Sequence, residues 1–214
     1  MSDPIVIVGA GGFGRETIDV LQDINEYSAI SRFELLGVLD DSPSAANLER
    51  LEARGVPWLG SVRSWIDGSH SAQYVIAIGN PSIRKTVARQ FEFASQTPAT
   101  LLHPRSMVGS GGMIGEGSVI CGGVHISTNV GIGRHVHLNP NATIGHDSVL
   151  EDFVSVNPAG VISGDVRVGA KSLVGAGAVV LQGLRLGAGC LVGASACVVT
   201  DVSPGQIVMG VPAR

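Results

Sequence analysis

Aromatic residues are scarce in this chain: Phe, Trp and Tyr make up 4% of its 214 residues. Beyond Leu102 only Phe153 remains, which calls for an interior too narrow for rings. Basic charge is also low, with 14 Lys and Arg against 18 Asp and Glu for a net −4. Without a basic stripe the chain is not expected to bind nucleic acid. No apolar run approaches the roughly 20 residues of a membrane-spanning helix. The first residues lack the basic and apolar regions of a signal peptide. Cysteine is limited to Cys121, Cys190 and Cys197, odd in number and without C-x-x-C spacing. They read as reduced packing residues, and the expected compartment is the cytoplasm.

What is present is a strict period. From Leu102 an aliphatic residue occupies every sixth position: Val108, Ile114, Ile120, Ile126, Ile132, Leu138, and so on through Val192 to Val198. A fixed period this short indicates a solenoid, and a period of six is a β-helix repeat. Counting the aliphatic residue as position one, position two is often Gly, as at 109, 115, 133, 145, 169, 175, 187 and 193. Position five is small or Val, as at Ser118, Val124, Ala142, Val154 and Ser172. One bulky and one small inward site per hexad suit a short strand followed by a tight corner. Three strands then close an 18-residue coil, and successive coils stack at about 4.8 Å. On these residues the segment resembles the hexapeptide-repeat acyltransferases. The resemblance implies an all-β left-handed parallel β-helix over 102–203, with 204–214 as a C-terminal cap or tail.

Residues 1–101 read differently. Ile5–Val8 is a short buried strand that runs into Gly9-Ala10-Gly11-Gly12-Phe13-Gly14, followed by Ile18, Leu21 and Ile24 at helical spacing. Strand, Gly-rich turn and helix together present backbone N–H groups to a phosphate. A second strand, 33–39, ends in Asp40-Asp41, where acidic residues commonly bond a ribose or a base edge. A third, 74–78, leads into Gly79-Asn80-Pro81 and a helix that Ser82 can cap, carrying Arg84 and Lys85. The reading is an α/β half-Rossmann domain over 1–101. By itself the turn is open to three interpretations: a ligand-free structural turn, a nicotinamide dinucleotide site, or another nucleotide site.

The combination of G-A-G-G-x-G, D-D and A-I-G-N with an unbroken hexapeptide helix resembles one group of sugar acetyltransferases over the whole chain. The group includes sialic-acid-type O-acetyltransferases and N-acetyltransferases of nucleotide-linked amino sugars (bacillosamine, perosamine and viosamine pathways). The resemblance implies that Gly11, Gly12, Phe13, Asp40, Asp41, Gly79 and Asn80 line a nucleotide-sugar site. It also implies acetyl-CoA as co-substrate on the β-helix, and a homotrimer. Phe13 departs from the family, which often has His there.

Five of the six histidines lie at or beyond Leu102. His103 is expected at the surface or domain junction, His125 and His137 near corners with exposed rings, and His135 in solvent. His146 is set apart by its neighbour, since His146-Asp147 matches the catalytic His–acid pair of the family. Thioester aminolysis needs a base that works near neutral pH, and imidazole is one. A carboxylate on the other ring nitrogen fixes the tautomer. Stacking by 18 residues puts Gly164 over His146, where its N–H faces a developing oxyanion.

Asn139 stacks with Asn157, either as an amide ladder or, by resemblance, facing the sugar. Ser155 stands where relatives often carry a second His near the acetyl group. Ala176 and Ala194, in Gly/Ala-rich coils, leave room for a pantetheine arm, and Gly210-Val211-Pro212-Ala213-Arg214 resembles the family's closing tail. The expected function is acetyl transfer to the amine of a nucleotide-linked 4-amino-4,6-dideoxy sugar. O-acetylation of a sialic acid or other sugar hydroxyl remains the alternative. A more distant one is a metal-dependent hydratase or non-catalytic scaffold; no metal is expected, because the histidines show no i,i+5 pair.

Overall fold

The computed structural model describes residues 2–68 and 70–214 and divides into two compact units, 1–101 and 102–214. In the first unit, β1 (Asp3–Val8) is flanked by β2 (Phe33–Leu39) and β3 (Gln73–Ile76) in a parallel sheet ordered β2-β1-β3. Ile5 to Val8 are fully buried, as the uninterrupted apolar run of a central parallel strand requires. Helix α1 (Gly12–Tyr27) turns Ile18, Val20, Leu21 and Ile24 inward. Shorter helices α2 (Ala45–Glu52) and α3 (Val62–Asp67) are N-capped by the hydroxyls of Ser44 and Ser61. Strand β3 runs from Gln73 to Ile76 rather than from Tyr74 to Ile78.

The last helix of this unit, α4 (Pro81–Phe93), corrects the expected cap. Asn80, not Ser82, is the N-cap, and its side-chain oxygen accepts the N–H groups of Ser82 (2.9 Å) and Ile83 (3.1 Å). Pro81 explains the shift, because its missing N–H and fixed φ suit the first helical position and leave the cap to the residue before it.

The second unit is a parallel β-solenoid of about six turns. Its strands are two residues long and pair in sheets of seven, six and five, each strand bonded to the one 18 residues away through most of the length. Each strand consists of positions six and one of adjoining hexads. Position one points inward and is buried from Ile120 to Val198; only at the start do Leu102 and Val108 remain 40% and 42% exposed. Position five also points inward. Ser118 is satisfied there within the wall, accepting Val136 N–H (3.0 Å) and donating to Gly133 O (3.0 Å).

The corners depend on backbone sign. From Gly111 to Ser195, every sixth residue has positive φ, including Asn129, Asn141, Asp147, Asp165 and the non-polar Ala159 (φ 56°). This is position four throughout, and a left-handed residue there turns each corner. Position two is glycine for another reason. A Cβ on Gly175 would lie 2.6 Å from Ala194 N, and one on Gly145 2.5 Å from Gly164 N. The glycines thus allow one coil to rest directly on the next. The aliphatic ladder also extends past Val198 by a shorter step, since Val202 bridges Leu186 and strand Ile207–Val208 pairs with Leu191–Val192.

Two histidines are placed differently from expectation. His135 is fully buried, not solvated; at the left-handed corner its ring stacks on Phe153, one coil on, with centroids 5.2 Å apart and planes 9° apart. His137 is buried too, on an outer face where Val119 and Ser155 of the adjacent strands are equally covered. His103 is 7% exposed, with Nδ1 accepting the Arg105 N–H at 2.9 Å. His125 is exposed, as expected. Cys121 and Cys190 are buried free thiols, and Cys197 is partly buried.

The two kinds of corner constraint separate by mutation. Gly175→Ala should destabilise the protein by about 1–3 kcal/mol through overpacking between coils. Ala159→Gly, relieving a left-handed non-glycine residue, should leave stability unchanged or raise it by up to about 1 kcal/mol. Chemical denaturation of both variants would test this, and equal losses would contradict the assignment of roles.

Candidate active site

The chemistry-bearing corner of the solenoid is Gly145-His146-Asp147-Ser148. In an extended strand adjacent side chains point to opposite faces. Asp147 instead has φ 62°, and the left-handed turn brings its carboxylate alongside the preceding imidazole. His146 Nδ1 and Asp147 Oδ2 are 2.7 Å apart. The other carboxylate oxygen accepts from Asn129 Nδ2 at 3.1 Å. Asn129 lies one coil earlier at the equivalent left-handed position. The carboxyl is held below its ordinary range, first by the hydrogen bond from His146 and then by that from Asn129.

An ionised carboxylate only accepts hydrogen bonds, so in neutral His146 the proton sits on Nδ1 and Nε2 keeps its lone pair. A Cβ built on Gly164 would fall 2.6 Å from His146 Nε2 and 2.7 Å from Cε1, so only a glycine lets the imidazole pack against the next coil. The Gly164 N–H donates to no acceptor among the described residues. The imidazole and carboxylate side chains are 64% and 52% exposed. A base nitrogen, a fixed tautomer and an uncommitted N–H thus lie together on one exposed corner, a grouping suited to acyl transfer.

Other candidates from the sequence are distributed around the prism. Ala176 and Ala194 are exposed and 18 residues apart, at the corner they share with Pro140 and Pro158. The corner of His146 carries Thr128, Gly164 and Gln182 instead, so one chain does not bring these alanines to the base. Ser155 is 2% exposed, its side chain closed off rather than lining an open surface. Asn139 is 9% exposed and gives its amide N–H to Val156 O (3.0 Å) rather than to Asn157.

In the first unit, the order β2-β1-β3 places a switch point between the carboxyl ends of β1 and β3, the usual position of a ligand crevice. The loops leaving these strands carry Gly11, Gly12 and Phe13 on one side and Gly79 and Asn80 on the other. They approach closely, since a Cβ on Gly9 would lie 2.8 Å from Ala77 O. A Cβ on Gly11, Gly12 or Gly79 would meet nothing within 4 Å, so the rim is open. The acidic pair is engaged structurally. Asp40 accepts the N–H groups of Ala10 (2.8 Å) and Ser42 (2.9 Å), fixing the Gly-rich turn. Asp41 accepts Val62 N–H at 2.8 Å, at the start of α3. Arg84 is fully buried and donates to Ile78 O (2.7 Å) and Gly79 O (3.2 Å); burial lowers its pKa to about 9, so it stays charged at neutral pH.

Two roles were missed in reading the sequence. Asn129 shows itself only when 18 is subtracted from Asp147, and Arg84 looked like an ordinary helix-face cation.

Gly164→Ala should fold with near-native melting temperature, since its φ is not left-handed, yet lower kcat by about tenfold or more by displacing the imidazole. Steady-state kinetics and thermal melting on one preparation would test it; unchanged kcat would show that the packing of the ring against Gly164 is immaterial to the reaction. Because the Asp147 carboxyl is depressed in the folded state, its stabilising contribution is present above its unfolded pKa of about 3.9 and is lost as pH falls through the lower folded value. Thermal melts across that acid range should therefore show a smaller acid loss for Asp147→Asn than for the parent.

Comparison with known proteins gives consistent results. Residues 4–91 match the PglD N-terminal domain family. The chain is 34% identical over 178 residues to GDP-perosamine N-acetyltransferase of Escherichia coli O157:H7, covering 80% of this chain and 75% of that protein. Among solved structures, the acetyltransferase domain of PglB from Neisseria gonorrhoeae FA1090 in complex with acetyl coenzyme A superposes with a TM-score of 0.88 at 27% identity, covering 100% of this chain and 99% of that one. A mutant of perosamine N-acetyltransferase from Caulobacter crescentus with one histidine replaced, in complex with CoA and GDP-perosamine, superposes with a TM-score of 0.86 at 28% identity. It covers 99% of this chain and 95% of that one.

Proposed function

The chain belongs to the hexapeptide-repeat sugar acetyltransferases, the family of the bacillosamine- and perosamine-type N-acetyltransferases, and from that premise we propose how it acts. It is an acetyl-CoA-dependent sugar N-acetyltransferase. Its acceptor is the amino group of a nucleotide-linked 4-amino-4,6-dideoxy sugar, a reading supported by relatives named for GDP-perosamine. The nucleotide sits on the Gly-rich turn and the Gly79-Asn80 loop. Backbone N–H groups near the start of α1 are available there for phosphate oxygens.

The observation that carries the mechanism is the His146–Asp147 pair beneath the bare Gly164. His146 Nε2 accepts a proton from the sugar amine as its nitrogen attacks the thioester carbonyl carbon. The carbonyl oxygen gains the negative charge and is stabilised by the Gly164 N–H. Asp147, already ionised and held by Asn129, stabilises the imidazolium and keeps Nδ1 protonated. When the tetrahedral adduct collapses, the C–S bond breaks and the thiolate takes the proton from His146. The products are the acetamido sugar and free coenzyme A.

A homotrimer fits this arrangement. The small-residue corner at Ala176 and Ala194 meets the base only if a second chain supplies it, since one chain keeps the two on separate edges.

Thiol release from acetyl-CoA against UDP-, GDP- and dTDP-linked 4-amino sugars, with free sialic acid as comparison, tests the assignment. Turnover is expected on one nucleotide amino sugar; release with sialic acid alone would move the assignment to O-acetylation. On the responsive acceptor, His146→Ala should lower kcat by about 10²–10⁴-fold with little change in the KM for acetyl-CoA. Asp147→Asn should lose less than that. Near-normal turnover by His146→Ala would sink the mechanism.

A further inference from the structure

Two arginines on the solenoid face each other across adjacent strands. Arg167 and Arg185 occupy position six of hexads one coil apart and pair directly across parallel strands, Arg167↔Arg185. Like charges facing each other across adjacent strands, about 4.8 Å apart, are destabilising. Both side chains are exposed, and among the described residues neither guanidinium forms a hydrogen bond or ion pair.

Glu151 and Asp201 line the same groove without an ion pair to either guanidinium; each gives one oxygen to a backbone N–H, of Ala170 (2.9 Å) and of Arg185 (2.8 Å). The arginines border a groove of about 460 Å³ whose lining includes Gly169, Gly187 and Ala188, residues too small to fill it. That volume lies in the range of small-molecule sites.

The position bears on the reaction. Arg167 follows Gly164 by three residues, and Arg185 follows Gln182 by three, so both begin the strands that leave the corner column of His146. The ladder therefore rises beside the base toward the C-terminal coils.

We propose that Arg167 and Arg185 form a phosphate-binding site serving the transfer reaction. Paired guanidinium forks match phosphate oxygens, and an anion between them converts their repulsion into attraction to a shared partner. Two participants carry phosphates, the coenzyme and the nucleotide sugar. Resting on the proposed function, which gives the nucleotide sugar to the Gly-rich turn, the ladder takes the phosphates of the acetyl donor.

Calorimetric titration of coenzyme A, pantetheine (which lacks the phosphates), GDP and UDP tests this on the parent and on Arg167→Gln/Arg185→Gln. The double variant should bind coenzyme A about tenfold or more weakly, with pantetheine unaffected. Its melting temperature should be unchanged or raised, because a repulsive pair is removed, whereas a purely structural role would lower it. A loss confined to GDP or UDP would keep the phosphate site and assign it to the nucleotide sugar. Equal coenzyme and nucleotide affinities in parent and variant would overturn the proposal. Failure of the parent to bind any of these ligands would overturn both this site and the proposed function. Binding as expected without turnover on any amino sugar would count against the function alone.

Discussion

Everything in the second unit depends on one constraint: each residue must rest on its counterpart eighteen places away, about 4.8 Å along the axis. Parallel pairing in unbroken register leaves no freedom to slip through most of the solenoid. The constraint turns sequence into columns. Glycine is required where a Cβ would run into the backbone of the next coil, as at Gly145 and Gly175. A buried serine is tolerated at position five because the neighbouring coil supplies both of its hydrogen-bond partners. The candidate site is itself a column, with Asn129 behind Asp147 on one coil and Gly164 above His146 on the other.

The fold was legible because its signal has no substitute. Position one of each hexad carries an aliphatic side chain without exception from Leu102 to Val198, so the period survives every other change in the sequence. Boundaries were less legible: the ladder reaches Val208 by a shortened step that a fixed count of six cannot follow. Burial of His135 and His137 was hidden for a related reason. Position four or six within a hexad specifies direction, but not what covers the side chain, and the Phe153 ring over His135 belongs to another coil.

The site was readable in part. The adjacency of His146 and Asp147 is written in the sequence, but their contact depends on the sign of one dihedral angle. Aspartate adopts either sign, so only the repeat of left-handed fourth positions decides it. In the first unit the Gly-rich turn declared itself, whereas the backbone N–H groups that the Asp40 and Asp41 carboxylates hold were not visible in the sequence. A carboxylate serves as readily as a turn clamp as a ribose acceptor, and composition does not distinguish the two.

The same rigidity sets what the site still needs. Its donors and base are fixed by backbone geometry, so little reorganisation is left for the reaction step. Yet the imidazole and carboxylate are more than half exposed, and charge stabilisation is weak in a high-dielectric surrounding. A solenoid without a loop interrupting its hexads has no lid of its own to exclude water. In the proposed homotrimer the ligands and a second copy of the chain supply the missing walls. Under that proposal, the small-residue corner, which lies on a different edge from the base, is the surface of one chain that would cover the site of another.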